Sequence, residues 1–231
     1  MVVLAKEKYY LVLAESSIEI VPKTLWKHPS VIKTAKRRGK KPSEIILDVS
    51  LHYHAMKGLP MRKKRGRPDI VHLSLLLALN SPLNKAGLLE TYVHTLNDYV
   101  IFVRKDVRIP KNYNRFIGLM EQLFSFGKVP PESETPLLYV KNMSLSGLLE
   151  SIEPRKAILL SEKGDKISLS RLANVVKKGD AIIIGGFAHG DFLKETYELA
   201  DEVYSIYGEA LETWTVLSRM LCVLEMQNGL I

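Results

Sequence analysis

Between Gly66 and Arg115 the sequence sets cations beside residues that stiffen the backbone. Arg67 and Asp69 flank Pro68, Arg108 and Lys111 flank Pro110, and Arg115 falls in the run Tyr113-Asn114-Arg115-Phe116. Proline holds φ near −65° and opens helices well, so a charge next to it points in a set direction. Asp69, two residues after Arg67, can accept guanidinium hydrogen bonds and orient the fork for a phosphate or a base edge. A plain surface ion pair, worth under about 1 kcal/mol, would read the same way. Ser81-Pro82-Leu83-Asn84-Lys85-Ala86-Gly87 adds another cation at a turn or helix start. Arg108, Lys111 and Arg115 straddle the start of a helix expected at 113, where the helix dipole also favours phosphate.

A second group of residues suits a different ligand. Gly185-Gly186-Phe187-Ala188-His189-Gly190-Asp191-Phe192 and Ser205-Ile206-Tyr207-Gly208-Glu209 each follow an apolar run, as does Ser161 after Leu160. In open α/β sheets, ligands bind where loops leave the carboxyl ends of strands. Glycine there lets the backbone approach a nucleoside closely. Gly185 and Gly190 have phosphate-loop spacing, but Asp191-Phe192 stand where that loop needs Lys and Ser or Thr. An aspartate at that place repels a triphosphate, and no Gly-x-Gly-x-x-Gly dinucleotide fingerprint is present. Adenosine without phosphate, of which S-adenosylmethionine is the common example, fits better. Ordinary turns between strands and helices would show the same glycines.

Other chemistries find little support. His52 and His54 lack a third ligand nearby in sequence, so no metal is expected. His189 reads as a solvent-facing loop residue, and no Ser-His-Asp or Cys-His pattern points to covalent catalysis. The single cysteine, Cys222, excludes an internal disulfide, fits a reducing cytosol, and reads as a buried inert thiol. Lys6, Glu7, Lys8 and Glu15 interrupt the apolar N-terminus and argue against a leader, and no apolar run is long enough to span a bilayer.

The net charge of +8 over 231 residues favours a polyanionic partner such as nucleic acid. The charge is uneven. Residues 33–41 hold six Lys or Arg and no acid, as do residues 57–67, whereas 187–231 hold eight acids against Lys194 and Arg219. The polyanion face therefore belongs to the N-terminal half.

The elements that must position these groups follow from periodicity. Strands are expected at Tyr9–Ala14, Ile45–Asp48, Leu137–Val140, Ala157–Leu160, Ala181–Ile184 and near Val203–Tyr204. Helices are expected at 51–57, from Pro68 to about Asn80, at 113–126, 145–152 and 169–177, and after Gly208. The basic segment 27–44, with Pro29, Gly39 and Pro42, reads as a loop or marginal helix. Leu88–Leu96 and Tyr99–Val103, joined by Asn97-Asp98, read as a hairpin. Continuous apolar strands alternating with helices predict a parallel sheet covered on both faces, with the hairpin as a small appended lobe. The last helix carries an apolar stripe through Trp214, Leu217, Leu221 and Leu224.

The phrases Arg67-Pro68-Asp69-Ile70, Ser81 to Gly87, Val107-Arg108-Ile109-Pro110, Arg115-Phe116-x-Gly118-Leu119-Met120 and the loop from Gly185 to Gly190 occur in one order. With them the chain resembles, over nearly its whole length, the archaeal and eukaryotic small-subunit rRNA pseudouridine N1-methyltransferases. These form a ribosome-biogenesis family of the SPOUT class. The resemblance implies one SPOUT-type α/β domain over 1–231, with a C-terminal trefoil knot and an inserted RNA-binding lobe at about 85–112. Topology rules alone would count against a knot.

The resemblance also implies a homodimer with the two C-terminal regions near the interface, and S-adenosylmethionine bent inside the knot. Cofactor positions carry over onto Leu160, Gly185, Gly190, Asp191, Phe192, Tyr204, Ser205, Ile206, Tyr207, Gly208 and Glu209. RNA-binding positions carry over onto Arg67, Arg108, Lys111 and Arg115. Catalytic roles fall on Arg67, stabilising charge on base carbonyls, and on Asp69, orienting it; no general base is assigned. The implied partners are small-subunit rRNA and ribosomal proteins, in the cytoplasm, without metal or membrane. Glu209-Ala210 departs from the small or apolar residue of many relatives, and Lys111 from an arginine. Two other readings stay open: a non-catalytic rRNA-binding assembly factor, and a SPOUT enzyme acting on another RNA base.

Overall fold

The computed structural model describes residues 8–231; Lys6 and Glu7, on which the expectation about a leader partly rested, lie outside them. In chain order the first elements are β1 (Tyr9–Ser16), α1 (Pro29–Arg38), α2 (Val49–His52), α3 (Pro68–Asn80) and α4 (Pro82–Lys85). Next come β2 (Leu89–Thr95), β3 (Tyr99–Val103), α5 (Tyr113–Phe126), β4 (Lys128–Val129), β5 (Leu138–Asn142) and α6 (Leu145–Ile152). The C-terminal part holds β6 (Ala157–Lys166), α7 (Leu169–Val175), β7 (Ala181–Gly185), α8 (Lys194–Glu198), β8 (Glu202–Ser205) and α9 (Thr213–Gln227).

All the strands join one sheet in the order β4-β5-β3-β2-β1-β7-β6-β8. From β2 to β8 neighbours run parallel, and β3, β5 and β4 are antiparallel. β1 shows why the sheet is covered on both sides. Tyr9, Leu11 and Leu13 point into a core shared with α3, α5 and α9, while Tyr10, Val12 and Ala14 point into one shared with α6. A strand buried on both faces reads as a continuous apolar run, as this one does.

The hairpin forms, but not as an appended lobe. β2 pairs with central β1 and β3 with β5, and Val93, Val100 and Ile101 are fully buried. Strands apolar on both faces are stable only inside a sheet, which explains the difference.

Ile45–Asp48 is not a strand: one isolated bridge joins Ile46 to Ile20. Ile45 and Leu47 instead bury against Val31, Ala35 and Met56 in a separate small core. Segment 27–44 is more ordered than a loop. His28 and Pro29 start α1, Gly39 ends it at φ 62°, and Val31 and Ala35 anchor it. Two of its flanking cations, Arg38 and Lys40, bond buried Glu121 of α5.

Cys222 is exposed, contrary to expectation. Its neighbours Leu221, Val223 and Leu224 are buried, and the 100° step per residue turns position 222 to the opposite face. β6 also runs past Ser161. Leu160 and Asp165 both lie opposite Tyr204, so residues 161–164 form an irregular bulge in the pairing with β8. Gly164 permits it: a Cβ there would stand 2.6 Å from the Tyr204 backbone nitrogen.

Candidate functional site

At the carboxyl ends of β6, β7 and β8 a cleft encloses about 680 Å³, counting its open mouth. Every cofactor position implied by the resemblance except Gly208 lines it. Leu160 and Ile184, the last pair in register between β6 and β7, lie there, and Ile206, Leu211 and Val216 add apolar walls. Glu162, Asp191 and Glu209 line it too, and among the described residues no Lys or Arg does. Asp191 is paired with Lys163, so Glu162 and Glu209 carry the net negative charge of the lining, which favours cations over phosphate.

Close backbone packing shapes the glycine loop. A Cβ on Gly185 would meet the Phe187 ring at 2.9 Å and Phe192 at 3.2 Å, and one on Gly186 would strike Ser16. The Thr213 hydroxyl, at the start of α9, donates to the Gly185 carbonyl at 2.7 Å. Asp191 Oδ1 accepts from the Phe192 amide at 2.8 Å and the Tyr197 hydroxyl at 2.6 Å, and Oδ2 accepts from Lys163 at 2.5 Å. Burial alone would raise its carboxyl; these donors outweigh that and hold it below the usual carboxylate range. Burial first, and then Asp191, push the Tyr197 phenol up to about 12.

Beneath this loop lies a buried ion pair. Lys64 Nζ bonds Glu15, which takes the left-handed conformation, φ 50°, near the end of β1. The other Glu15 oxygen accepts from the Leu193 amide at 2.8 Å and the Thr196 hydroxyl at 2.7 Å. Lys64 Nζ also sits 4.3 Å from the Phe187 ring centroid. One residue on, Arg65 grips Glu19 with two bonds of 2.7 and 2.5 Å. Buried pairs seldom add much net stability, yet removing one partner is costly, so they fix position. Here they tie segment 62–67 to β1 and to the glycine loop.

That segment walls a second cleft, of opposite charge. Arg62, Lys63, Lys64, Arg65 and Arg67 line it with His189, and no acidic residue does among those described. Ala188 and Gly190 line both clefts. Arg67 Nε donates to Asp69 Oδ1 at 2.9 Å and Nη2 to Oδ2 at 2.8 Å, giving the two-pronged pair expected. Hydrogen bonding to Asp69 raises the Arg67 pKa further, so the guanidinium stays charged.

The other expected RNA positions do not share this cleft. Arg108 and Lys111 line a groove with Lys85 and Lys105, and Arg115 lines neither. His72 of α3 joins the regions: its Nε2 bonds the Pro110 carbonyl at 2.7 Å and its ring stacks on Phe116 at 4.3 Å. Asn84, in the Ser81–Gly87 phrase, is buried and donates to the Lys105 and Leu79 carbonyls, so that phrase holds up the 105–111 loop.

Ser161, Phe187 and Ala188 lie in the ligand loops read from the sequence, though not among the cofactor positions carried over from the resemblance. Glu162, Thr213 and Val216 escaped the sequence reading; the last two come from α9, where no local signal marks them. Among the described residues no cluster of His, Cys, Asp and Glu could hold a metal ion, and no helix is long and apolar enough to cross a membrane.

The comparisons converge. The family described as EMG1/NEP1 methyltransferase matches residues 11–225. A Ribosomal RNA small subunit methyltransferase Nep1 from Staphylothermus marinus is 55% identical over 217 residues, covering 94% of each chain. The protein of the same name from Sulfurisphaera tokodaii is 46% identical, covering 96% of this chain and 99% of its own. Among solved structures, Archaeoglobus fulgidus Nep1 bound to S-adenosylhomocysteine superposes with a TM-score of 0.84 at 41% identity, covering 96% of this chain and 98% of that one.

Proposed function

This chain belongs to the EMG1/NEP1 methyltransferase family, and from that premise we propose that it methylates N1 of a pseudouridine in small-subunit ribosomal RNA, with S-adenosylmethionine as donor. The observation that carries the reading is the pair of clefts, one acidic and one basic, that meet at Ala188 and Gly190. A cationic nucleoside without phosphate suits the first, and RNA suits the second.

When bound, S-adenosylmethionine supplies an electrophilic sulfonium methyl group. Leu160, Ile206 and Leu211 would give an adenine apolar contact, and Gly185 leaves room beside Phe187. Glu162, Asp191 and Glu209 would face the positive charge and the hydroxyls. That no Lys or Arg lines the cleft among the described residues, together with the S-adenosylhomocysteine held by the Archaeoglobus relative, supports this ligand over a nucleotide.

On the other side, Arg67 would receive a base splayed out of an unpaired loop and stabilise charge developing on its carbonyls. Asp69 positions Arg67 through the two-pronged bond. No side chain is assigned as general base. Positioning dominates such a transfer and can supply roughly 7–11 kcal/mol.

The same reading carries a homodimer, contacts with ribosomal proteins, work in the cytoplasm, and a knotted C-terminal segment. The close packing of Gly164 on the Tyr204 backbone, beside the bulge in β6, is in keeping with the knot. Exposed Phe126 and Met226 offer apolar surface for a partner copy. The test is methyl incorporation into matched RNA hairpins carrying pseudouridine or uridine, alongside cofactor binding by calorimetry and mass by sedimentation. Transfer to pseudouridine alone is expected. Equal transfer to uridine would move the specificity, and cofactor binding without turnover would favour an assembly factor.

A further inference from the structure

Two apolar side chains stand uncovered in the basic cleft. Tyr53, in the turn after α2, is 56% exposed, and Met61 is 46% exposed. Burial of a phenol ring or a thioether is favourable, so two left open in one cleft mark a surface for something flat and apolar. The Arg62 guanidinium lies 4.5 Å from the Tyr53 ring centroid, and the His54 ring packs edge-on at 5.5 Å. Among the described residues no carboxylate lies within ion-pair distance of Arg62 or Lys63. Next along the chain, Lys64 and Arg65 are both committed to buried carboxylates. The loop thus spends some cations on its own anchoring. Arg62 is held to Tyr53, donating also to its carbonyl at 3.5 Å, so among the described residues of the loop Lys63 is the cation left for a ligand. An aromatic platform beside a free cation is the arrangement that holds unpaired nucleotides: base on ring, phosphate on charge.

We propose that Tyr53, Arg62 and Met61 form a stacking platform for the unpaired base next to the methylated nucleotide, with Lys63 meeting its phosphate. The proposal rests on the methyltransferase reading above, since the cleft reaches the cofactor side at Ala188 and Gly190. A base stacked there would hold the loop open while its neighbour turns toward Arg67. Arg62 also works from the stack, because a guanidinium plane is itself a stacking surface.

The test uses the full chain and an RNA hairpin with the target in its loop, with affinity measured with S-adenosylhomocysteine present. Tyr53→Ala is expected to weaken binding about tenfold, and Tyr53→Trp to retain it. Hairpins made abasic on each side of the target in turn identify the stacked base. On the correct one the unmodified protein binds as weakly as Tyr53→Ala, and the variant loses nothing more. Equal losses for Tyr53→Ala on intact and both abasic RNAs would overturn the platform, as would unchanged affinity. A shift in sedimentation for Tyr53→Ala would assign the surface to contact between copies and overturn it too. Methyl transfer by the unmodified protein, followed on the same hairpin, separates the two readings. If it fails, the reaction is misassigned whatever Tyr53 does; if it proceeds with the KM of Tyr53→Ala unaltered, the platform alone is wrong.

Discussion

The acidic cleft and the basic cleft share two residues and little else. Turns at the ends of β6, β7 and β8 build the first, where backbone geometry decides what fits. The second is built by side chains on an irregular segment with almost no secondary structure of its own. An added Cβ at Gly185 would crowd the Phe187 ring in the acidic cleft, whereas the basic cleft depends on where ion pairs with Glu15, Glu19 and Asp69 set its long cationic side chains. On the function proposed, a small cofactor would suit the one and a deformable polyanion the other. The contrast teaches that two adjoining clefts can hold their shape by different physics.

The largest expected effect tests whether the halves are separable. Gly185→Trp should fill the acidic cleft and lower S-adenosylmethionine affinity more than about a hundredfold by calorimetry, since the whole ligand volume is displaced. RNA affinity should change little. If both affinities fall together, the two clefts are one site.

An effect of similar size, read in stability rather than affinity, probes the seam. Lys64→Met leaves Glu15 buried and unpaired, which should cost about 3–5 kcal/mol in denaturant unfolding. Glu15→Gln combined with Lys64→Met should recover much of that loss, because no charge is then stranded. Equal stability of the single and double variants would mean the pair carries no positional role.

Arg108→Ala or Arg115→Ala should act on RNA alone. Each lost phosphate contact lowers the slope of log affinity against log salt by about 0.7 to 0.9. Cofactor affinity should hold. Slopes unchanged from the parent would show that neither residue meets phosphate.

The mildest effect concerns pH. Burial is the main cause that holds His52 and His94 below their ordinary value. In each, Nδ1 accepts from a backbone amide, of Asp48 and Glu15 respectively, and protonation would break that bond. The unfolded rings take up protons first, near about pH 6.5, so the unfolded state binds more protons below that value. Stability should therefore be full above it and fall as pH drops through it. A melting temperature flat from pH 7.5 to 5.5 would contradict this. His94 contacts Glu15, so the loss should reach the seam between the clefts.

Much of the acidic cleft was legible in the sequence because its parts are local. A glycine after an apolar strand means a tight turn at a sheet edge, whatever else the chain does. The Arg67–Asp69 pair was legible for the same reason, being two residues apart. Ile45–Leu47 misled, because an apolar run states only that it must be buried, and here a small separate core does that without strand pairing. The hairpin was read correctly as a unit and misplaced as a lobe, since pairing with β1 is a contact between distant segments. Cys222 was assigned by its neighbours' hydrophobicity when helix phase decides exposure.

The amino-acid order by itself determined which side chains carry charge, where the backbone turns tightly, and the family to which those phrases belong. Tertiary structure alone decided that Lys64 would close on Glu15, 49 residues away, and that one glycine loop would border both clefts. The reason is that turn preference and charge are properties of neighbours in the chain. Which loops meet across a sheet edge depends on the packing of every layer beneath them.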